Sequence, residues 1–171
     1  MNRKNPIVVL DIDHTLLHCK KEFNKIEFYG KILSPLDITL RPYIQEFLQY
    51  LLNNKIVIVV FTTATSEYAR DVLFVYLENF YPFILKILSK KDCDKSYKLF
   101  KKEKHSKYVR KVLNAHNNIL IGVDDLAHEN MDKNGYNLLI NIKRFTGDKN
   151  DNELLMVINK LSKLFKKENF L

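Results

Sequence analysis

The feature that most constrains this chain is a run of four aliphatic residues, Ile7-Val8-Val9-Leu10, that ends in two aspartates one residue apart, Asp11 and Asp13. A run this short, with no polar alternation, reads as a strand covered on both faces, as in a parallel sheet under helices. Residues i and i+2 of a strand share a face, so both carboxylates point into one small volume. Two like charges that close are costly unless a cation sits between them. Mg²⁺, which takes carboxylate oxygens and keeps several waters, meets that need. A bare D-x-D pair is read more economically as a strand-end turn followed by a helix N-cap, so the rest of the chain has to decide.

Two further aliphatic runs end in polar chemistry. Ile56 to Phe61 stops at Thr62-Thr63-Ala64-Thr65, and Ile119 to Val123 delivers Asp124-Asp125. Helical spacing appears between the runs: Ile44, Phe47, Leu48, Leu51 and Leu52 after Arg41-Pro42, then Tyr68, Val72, Leu73, Val75, Tyr76 and Leu77. A helix is expected over Tyr108 to Leu113, and a closing amphipathic one over Asn152 to Phe165. Short strands are expected at Pro82 to Leu88 and Leu138 to Ile142, and a small β excursion between Cys19 and Leu40. Lys90 to Lys107 is very basic, carries Tyr97 and Phe100, and is read as a solvated loop, with a specific binding patch as the alternative. Alternating strands and helices give an α/β fold with a central parallel sheet, helices on both sides and ligand chemistry at the carboxyl edge. There Thr62 offers a hydroxyl, while Thr65 or Ser66 caps the next helix.

Composition sets the bounds. At 171 residues and 46% hydrophobic, the chain is expected to form one domain over 1–171. No apolar run approaches the roughly 20 residues of a membrane span, and with M-N-R-K-N-P going straight into the first strand no signal peptide is expected. Cys19 and Cys93 lack metal spacing and are expected as free thiols of an intracellular protein, nuclear or cytoplasmic. The net charge of +8 permits nucleic acid, phosphorylated peptide or acidic protein as a partner without selecting one.

D-I-D-H-T-L-L-H (11–18) resembles the opening motif of the haloacid dehalogenase superfamily, in particular its aspartate-nucleophile phosphatases. The closing L-L-H is most similar to the branch that dephosphorylates the C-terminal tail of RNA polymerase II. L-R-P-Y-I-Q-E-F-L (40–48) is similar to the L-R-P-x-x-x-E-F-L of that branch, and V-V-F-T-T-A with Tyr68-Ala69 to its V-x-F-T-A-S with a later Tyr-Ala. The likeness covers most of residues 6 to 142. It departs at Arg70-Asp71, where the branch more often has Asp-Pro, in the absence of tryptophan, and in Lys90 to Ser106.

The resemblance implies a haloacid-dehalogenase-like Rossmannoid three-layer sandwich with a small β insertion after the first motif. It also implies a Mg²⁺-dependent phosphatase acting through an aspartyl-phosphate, on phosphoserine or phosphothreonine in protein. Asp11 would be the nucleophile and Asp13 the general acid and base. Asp11, Asp13, Asp124 and Asp125 would surround the metal, with Asp125 the direct ligand of the last pair, Asp124 orienting the lysine and the Asp13 contact made by its backbone carbonyl. Thr62 and a lysine would hold the phosphoryl oxygens, and Thr15 would support the turn. S-K-Y-V-R-K-V-L-N-A-H-N-N-I-L-I-G-V-D-D (106–125) resembles the stretch of that branch in which the lysine precedes a short helix and the strand ending in its acidic motif, which picks Lys107, with Lys104 as runner-up. A phosphatase for nucleotides or nucleic-acid ends, and a non-catalytic binding module on the same scaffold, are the competing readings.

Overall fold

The computed structural model describes residues 5–20 and 38–167. Five strands form one parallel sheet: β1 (Ile7–Leu10), β4 (Val57–Phe61), β5 (Ile84–Leu88), β6 (Leu120–Asp124) and β7 (Leu138–Asn141), in the order β5-β4-β1-β6-β7. The central strand β1 pairs Val8 with Ile58 on one side and with Ile121 on the other. All four of its residues are buried, as an unbroken aliphatic run under two helical layers requires.

Alternate residues of β1 build the two layers. Val8 and Leu10 pack with α1 (Ile44–Asn53), α2 (Ser66–Tyr76) and α6 (Glu153–Lys167), through side chains that include Phe47, Val72 and Val157. Ile7 and Val9 pack on the opposite face with α3 (Lys90–Phe100), α4 (Ser106–Leu113) and α5 (Ala127–Asn130), where Cys93, Val109 and Ala127 are buried. Each fully covered aliphatic side chain contributes roughly 1.5–3 kcal/mol. Gly122 permits the close approach of α5 and β7, since a Cβ there would lie 2.5 Å from Met131 Sδ and 2.9 Å from Leu139 Cδ1. The chain winds outward from β1 to β4 and β5, then crosses to β6 and β7. The switch point therefore falls beside β1, where open α/β sheets gather their ligand chemistry.

A two-stranded antiparallel sheet of β2 (Leu17–Cys19) and β3 (Ile38–Leu40) forms the base of the expected β excursion, whose remainder, 21–37, lies outside the described residues. Three expectations are corrected. The basic segment is not a loop: Lys90–Phe100 is helical, and Asp92 secures its start by accepting a hydrogen bond from Ser89 N at 3.0 Å. Arg41-Pro42 precedes α1 without opening it, because Tyr43 at the N-cap has φ 64°. Val75 lies on the outer face of α2, 49% exposed. No disulfide joins Cys19 and Cys93, and among the described residues no helix is long and apolar enough to cross a membrane.

Candidate active site

Three strand ends converge. β1 releases buried Asp11 and then a tight turn in which Leu16 N donates to Ile12 O at 2.8 Å and His14 N to Leu17 O at 2.7 Å. β4 ends at buried Thr62, whose Oγ1 accepts from Ala64 N at 3.1 Å, while Thr65 caps α2 by accepting from Tyr68 N. β6 brings fully buried Asp124 and half-buried Asp125, and Asp125 N donates to Thr15 Oγ1 at 3.1 Å. Thr15 thus ties the first motif to the last.

The lysine at the centre is Lys104, and this corrects the assignment to Lys107. Lys104 Nζ donates to Asp11 Oδ1 at 2.6 Å and to Asp124 Oδ2 at 2.5 Å, and the residue is 1% exposed. Its backbone is held as well, with N donating to Asn130 O at 2.9 Å and its carbonyl accepting from the Tyr136 hydroxyl at 2.8 Å. Lys107 sits on the first turn of α4, on the outer face opposite the buried Val109, and is exposed. Lysine density hid the difference: Lys101, Lys102, Lys104 and Lys107 stand within seven residues, and spacing alone does not show where the helix begins.

The electrostatics follow from burial. Loss of solvent raises the Asp11 carboxyl, Lys104 opposes that rise and the Asp124 charge adds to it. Burial works against the Lys104 ammonium, but Asp11 and Asp124 outweigh it and keep the group protonated. Asp13 is also raised by burial, against the hydrogen bond that Tyr68 OH donates to its Oδ1 at 2.5 Å.

Asp11, Asp124 and Asp125 offer ligand oxygens that all lie within 4.8 Å of one another. Three carboxylates against the Lys104 ammonium and the half-exposed Arg144 guanidinium leave a surplus of negative charge on hard oxygen donors, which fits a divalent cation of the Mg²⁺ type. Both Asp124 oxygens already have donors, Lys104 Nζ on Oδ2 and Leu126 N on Oδ1 at 2.6 Å. Among the described residues the Asp125 carboxylate meets Arg144 alone, at 3.4 Å. The Asp13 carboxylate is not in this trio, because it turns to Tyr68.

Two residues of the site carry roles that the sequence reading did not assign. Arg41 is 1% exposed and donates to Thr15 O at 3.0 Å, to Lys143 O at 2.6 Å and twice to the Asp151 carboxylate at 2.8 Å, with its guanidinium 5.2 Å above the Phe145 ring. It fastens the turn after Asp13 to the segment before α6. Tyr68 fixes Asp13. Both stand in the quoted motifs, L-R-P and Tyr-Ala, but only the fold brings them to their partners.

The family model described as NLI interacting factor-like phosphatase matches residues 6–171. The chain belongs to this family. Its members are phosphoric monoester hydrolases. None of the curated proteins matches the sequence significantly. Among solved structures it is similar to Fcp1, described as an essential RNA polymerase II CTD phosphatase, with 16% identity and TM-score 0.56 over 96% of this chain and 50% of that one. It is also similar to an uncharacterized protein from Listeria monocytogenes serotype 4b, with 14% identity and TM-score 0.59 over 94% of this chain and 99% of that one. A fission yeast Fcp1 variant bound to beryllium fluoride matches at 16% identity and TM-score 0.50, over 96% and 51%. The chain spans about half the length of the two Fcp1 structures. These likenesses establish the haloacid-dehalogenase-like α/β fold of this NLI interacting factor-like phosphatase.

Proposed function

We propose that this chain is a Mg²⁺-dependent protein phosphatase that removes phosphate from serine or threonine through an aspartyl-phosphate on Asp11. The observation that carries the reading is the buried Lys104 ammonium spanning Asp11 and Asp124, with Asp125 completing a three-carboxylate cluster. A packing cluster has no use for a charge surplus at the open edge of a sheet, whereas phosphoryl transfer needs a nucleophile and a cation at one place.

In the first step an Asp11 oxygen forms a bond to phosphorus while the phosphorus–oxygen bond to the seryl or threonyl side chain breaks. The departing oxygen takes a proton from Asp13, whose elevated pKa favours carrying one. In the second step Asp13, now ionised, removes a proton from water as that water attacks phosphorus, releasing phosphate and restoring Asp11. The Lys104 ammonium faces the charge that develops on the phosphoryl oxygens. Thr62 Oγ1 accepts from Ala64 N, so its own hydrogen is left to donate to the same oxygens. A metal ion held by Asp11 and Asp125 would supply Lewis-acid charge that lets an anionic nucleophile approach an anionic substrate.

Protein phosphate as substrate is supported by family membership and by the CTD phosphatase activity of the structurally similar Fcp1. The test is hydrolysis of an aryl phosphate with and without Mg²⁺, wild type beside Asp11→Asn. Turnover that EDTA removes, Mg²⁺ restores and Asp11→Asn lacks is the expected result. Asp11→Asn activity within about tenfold of wild type would remove Asp11 from the nucleophile's role. A folded wild type without turnover would favour a binding module.

A further inference from the structure

An open depression of about 950 Å³ lies on the α4 and α5 side of the sheet. Its walls are the two segments that hold Lys104, namely 102–110 and 128–135, joined by the bond from Lys104 N to Asn130 O. Lys102, Lys107, Arg110 and Lys133 line it, with Asp132 as the acidic group among them.

The charges do not cancel. Asp132 is consumed internally: it accepts from Ser106 N at 2.5 Å and from Ser106 Oγ at 2.6 Å, with His105 Nδ1 at 3.3 Å. Arg110 is spent on backbone carbonyls, donating to Ala115 O at 3.1 Å and Asn118 O at 2.9 Å among others. Lys102 rests on the carbonyls of His128 and Glu129. Lys107 and Lys133 are exposed, and among the described residues no hydrogen bond or ion pair engages either ammonium. A floor whose one carboxylate has its oxygens occupied by Ser106 and is outnumbered by four cations, two of them with free donors, is a receptor for anions.

We infer that this depression binds acidic or phosphorylated residues that flank the phosphoserine or phosphothreonine being hydrolysed, so that the enzyme selects acidic or multiply phosphorylated segments. The inference rests on the protein phosphatase reading. A peptide is favoured over single-stranded nucleic acid because, among the described residues, the rings that line the depression are the imidazoles of His105, His116 and His128, and no phenyl, phenol or indole face is there for a base. Nearby Phe100 is committed to His105, with ring centroids 4.7 Å apart.

The experiment uses the full chain carrying Asp11→Asn, which binds substrate without consuming it, and two fluorescent peptides. One has a phosphoserine among alanines and serines; the other has the same phosphoserine flanked by three further phosphoserines. Anisotropy is read in this background and with Lys107→Glu and Lys133→Glu added, at two salt concentrations. The expected result is about tenfold weaker binding of the multiply phosphorylated peptide with both reversals, about twofold change for the single one, and a difference that shrinks at high salt. Equal loss for both peptides, or no loss, would overturn the inference. An oligonucleotide of matched charge that competes equally well would overturn the peptide assignment. In the chain with native Asp11, the two reversals should leave aryl phosphate turnover within about twofold, since neither lysine touches the carboxylate cluster. Absent aryl turnover in the wild type would count against the phosphatase reading alone, because the binding comparison does not depend on catalysis.

Discussion

Lys104 and Arg41 are both 1% exposed, both lie at the carboxyl edge of the sheet, and both join segments far apart in the chain. Their surroundings differ. Arg41 is saturated: a bidentate carboxylate, backbone carbonyls and a ring face take up the guanidinium. Lys104 is outnumbered, with two carboxylates on its ammonium and a third beside them that meets the half-exposed Arg144 at 3.4 Å, which leaves a net negative charge at the cluster. Burial of a cation therefore says little by itself. Where every donor and acceptor is matched, it fixes a conformation; where carboxylates are in surplus at a sheet edge, it prepares a reaction.

The contrast is sharpest in what removal of each cation should do. Lys104→Met should lower kcat/KM for an aryl phosphate by roughly 10³-fold or more, the scale on which a preorganised cation stabilises a phosphoryl transition state. Turnover within about tenfold of wild type would move Lys104 to the structural class. Adding Asp11→Asn and Asp124→Asn should then raise the melting temperature of an inactive protein, because buried charges give way to neutral groups. Arg41→Met should act through stability, costing about 3–5 kcal/mol in urea denaturation, since it strips the cation from the Asp151 carboxylate, which keeps the Glu153 N–H, and takes the donor from two carbonyls. A loss below about 1 kcal/mol would show that the clamp is dispensable.

The two regions also differ in how far the sequence disclosed them. Asp11, Thr62 and Asp124 were legible because each ends an aliphatic run, and a run buried on both faces has one place to put its polar terminus. The three-layer fold followed from the same runs. Helix α3 was not legible: among its residues only Cys93 and Ser96 are buried, so it lacks an apolar stripe and is secured by Asp92 at its start. Lys104 was misassigned because its position depends on where α4 begins, and His105, Ser106 and Asp132 set that start through hydrogen bonds. The Arg41 clamp joins residues 110 apart in sequence, and no local pattern announces such a pairing.

Tyr68 tests a finer point of the comparison, since it holds the carboxyl proposed as proton donor. Tyr68→Phe removes the hydroxyl that donates to Asp13 Oδ1 and keeps the ring that packs in the core. If the hydroxyl orients Asp13 as proton donor, the substitution should slow hydrolysis of an alkyl phosphate by about tenfold and spare an aryl phosphate, whose leaving group needs little protonation. An equal loss on both substrates would mean that the hydroxyl supports the fold alone.

The smallest expected effect is the acid response of the Arg41 clamp. Burial works against ionisation of Asp151, but the Arg41 hydrogen bonds outweigh it and hold the carboxyl below its ordinary 3.8. A carboxyl with a lowered folded-state pKa contributes stability that is present above the unfolded value and is lost as pH falls through the folded one. Arg41→Met removes the largest cause of that lowering and leaves the Glu153 N–H and Lys143, so the variant has less of this contribution to lose. The gap in melting temperature between wild type and Arg41→Met should therefore narrow on acidification from about pH 6 to about pH 3, by about 2 °C. A gap that stays constant over that range would mean that Arg41 stabilises the turn through the carbonyls of Thr15 and Lys143 alone. The bidentate contact with Asp151 would then contribute geometry without free energy, and the saturated cation would owe its place to the backbone.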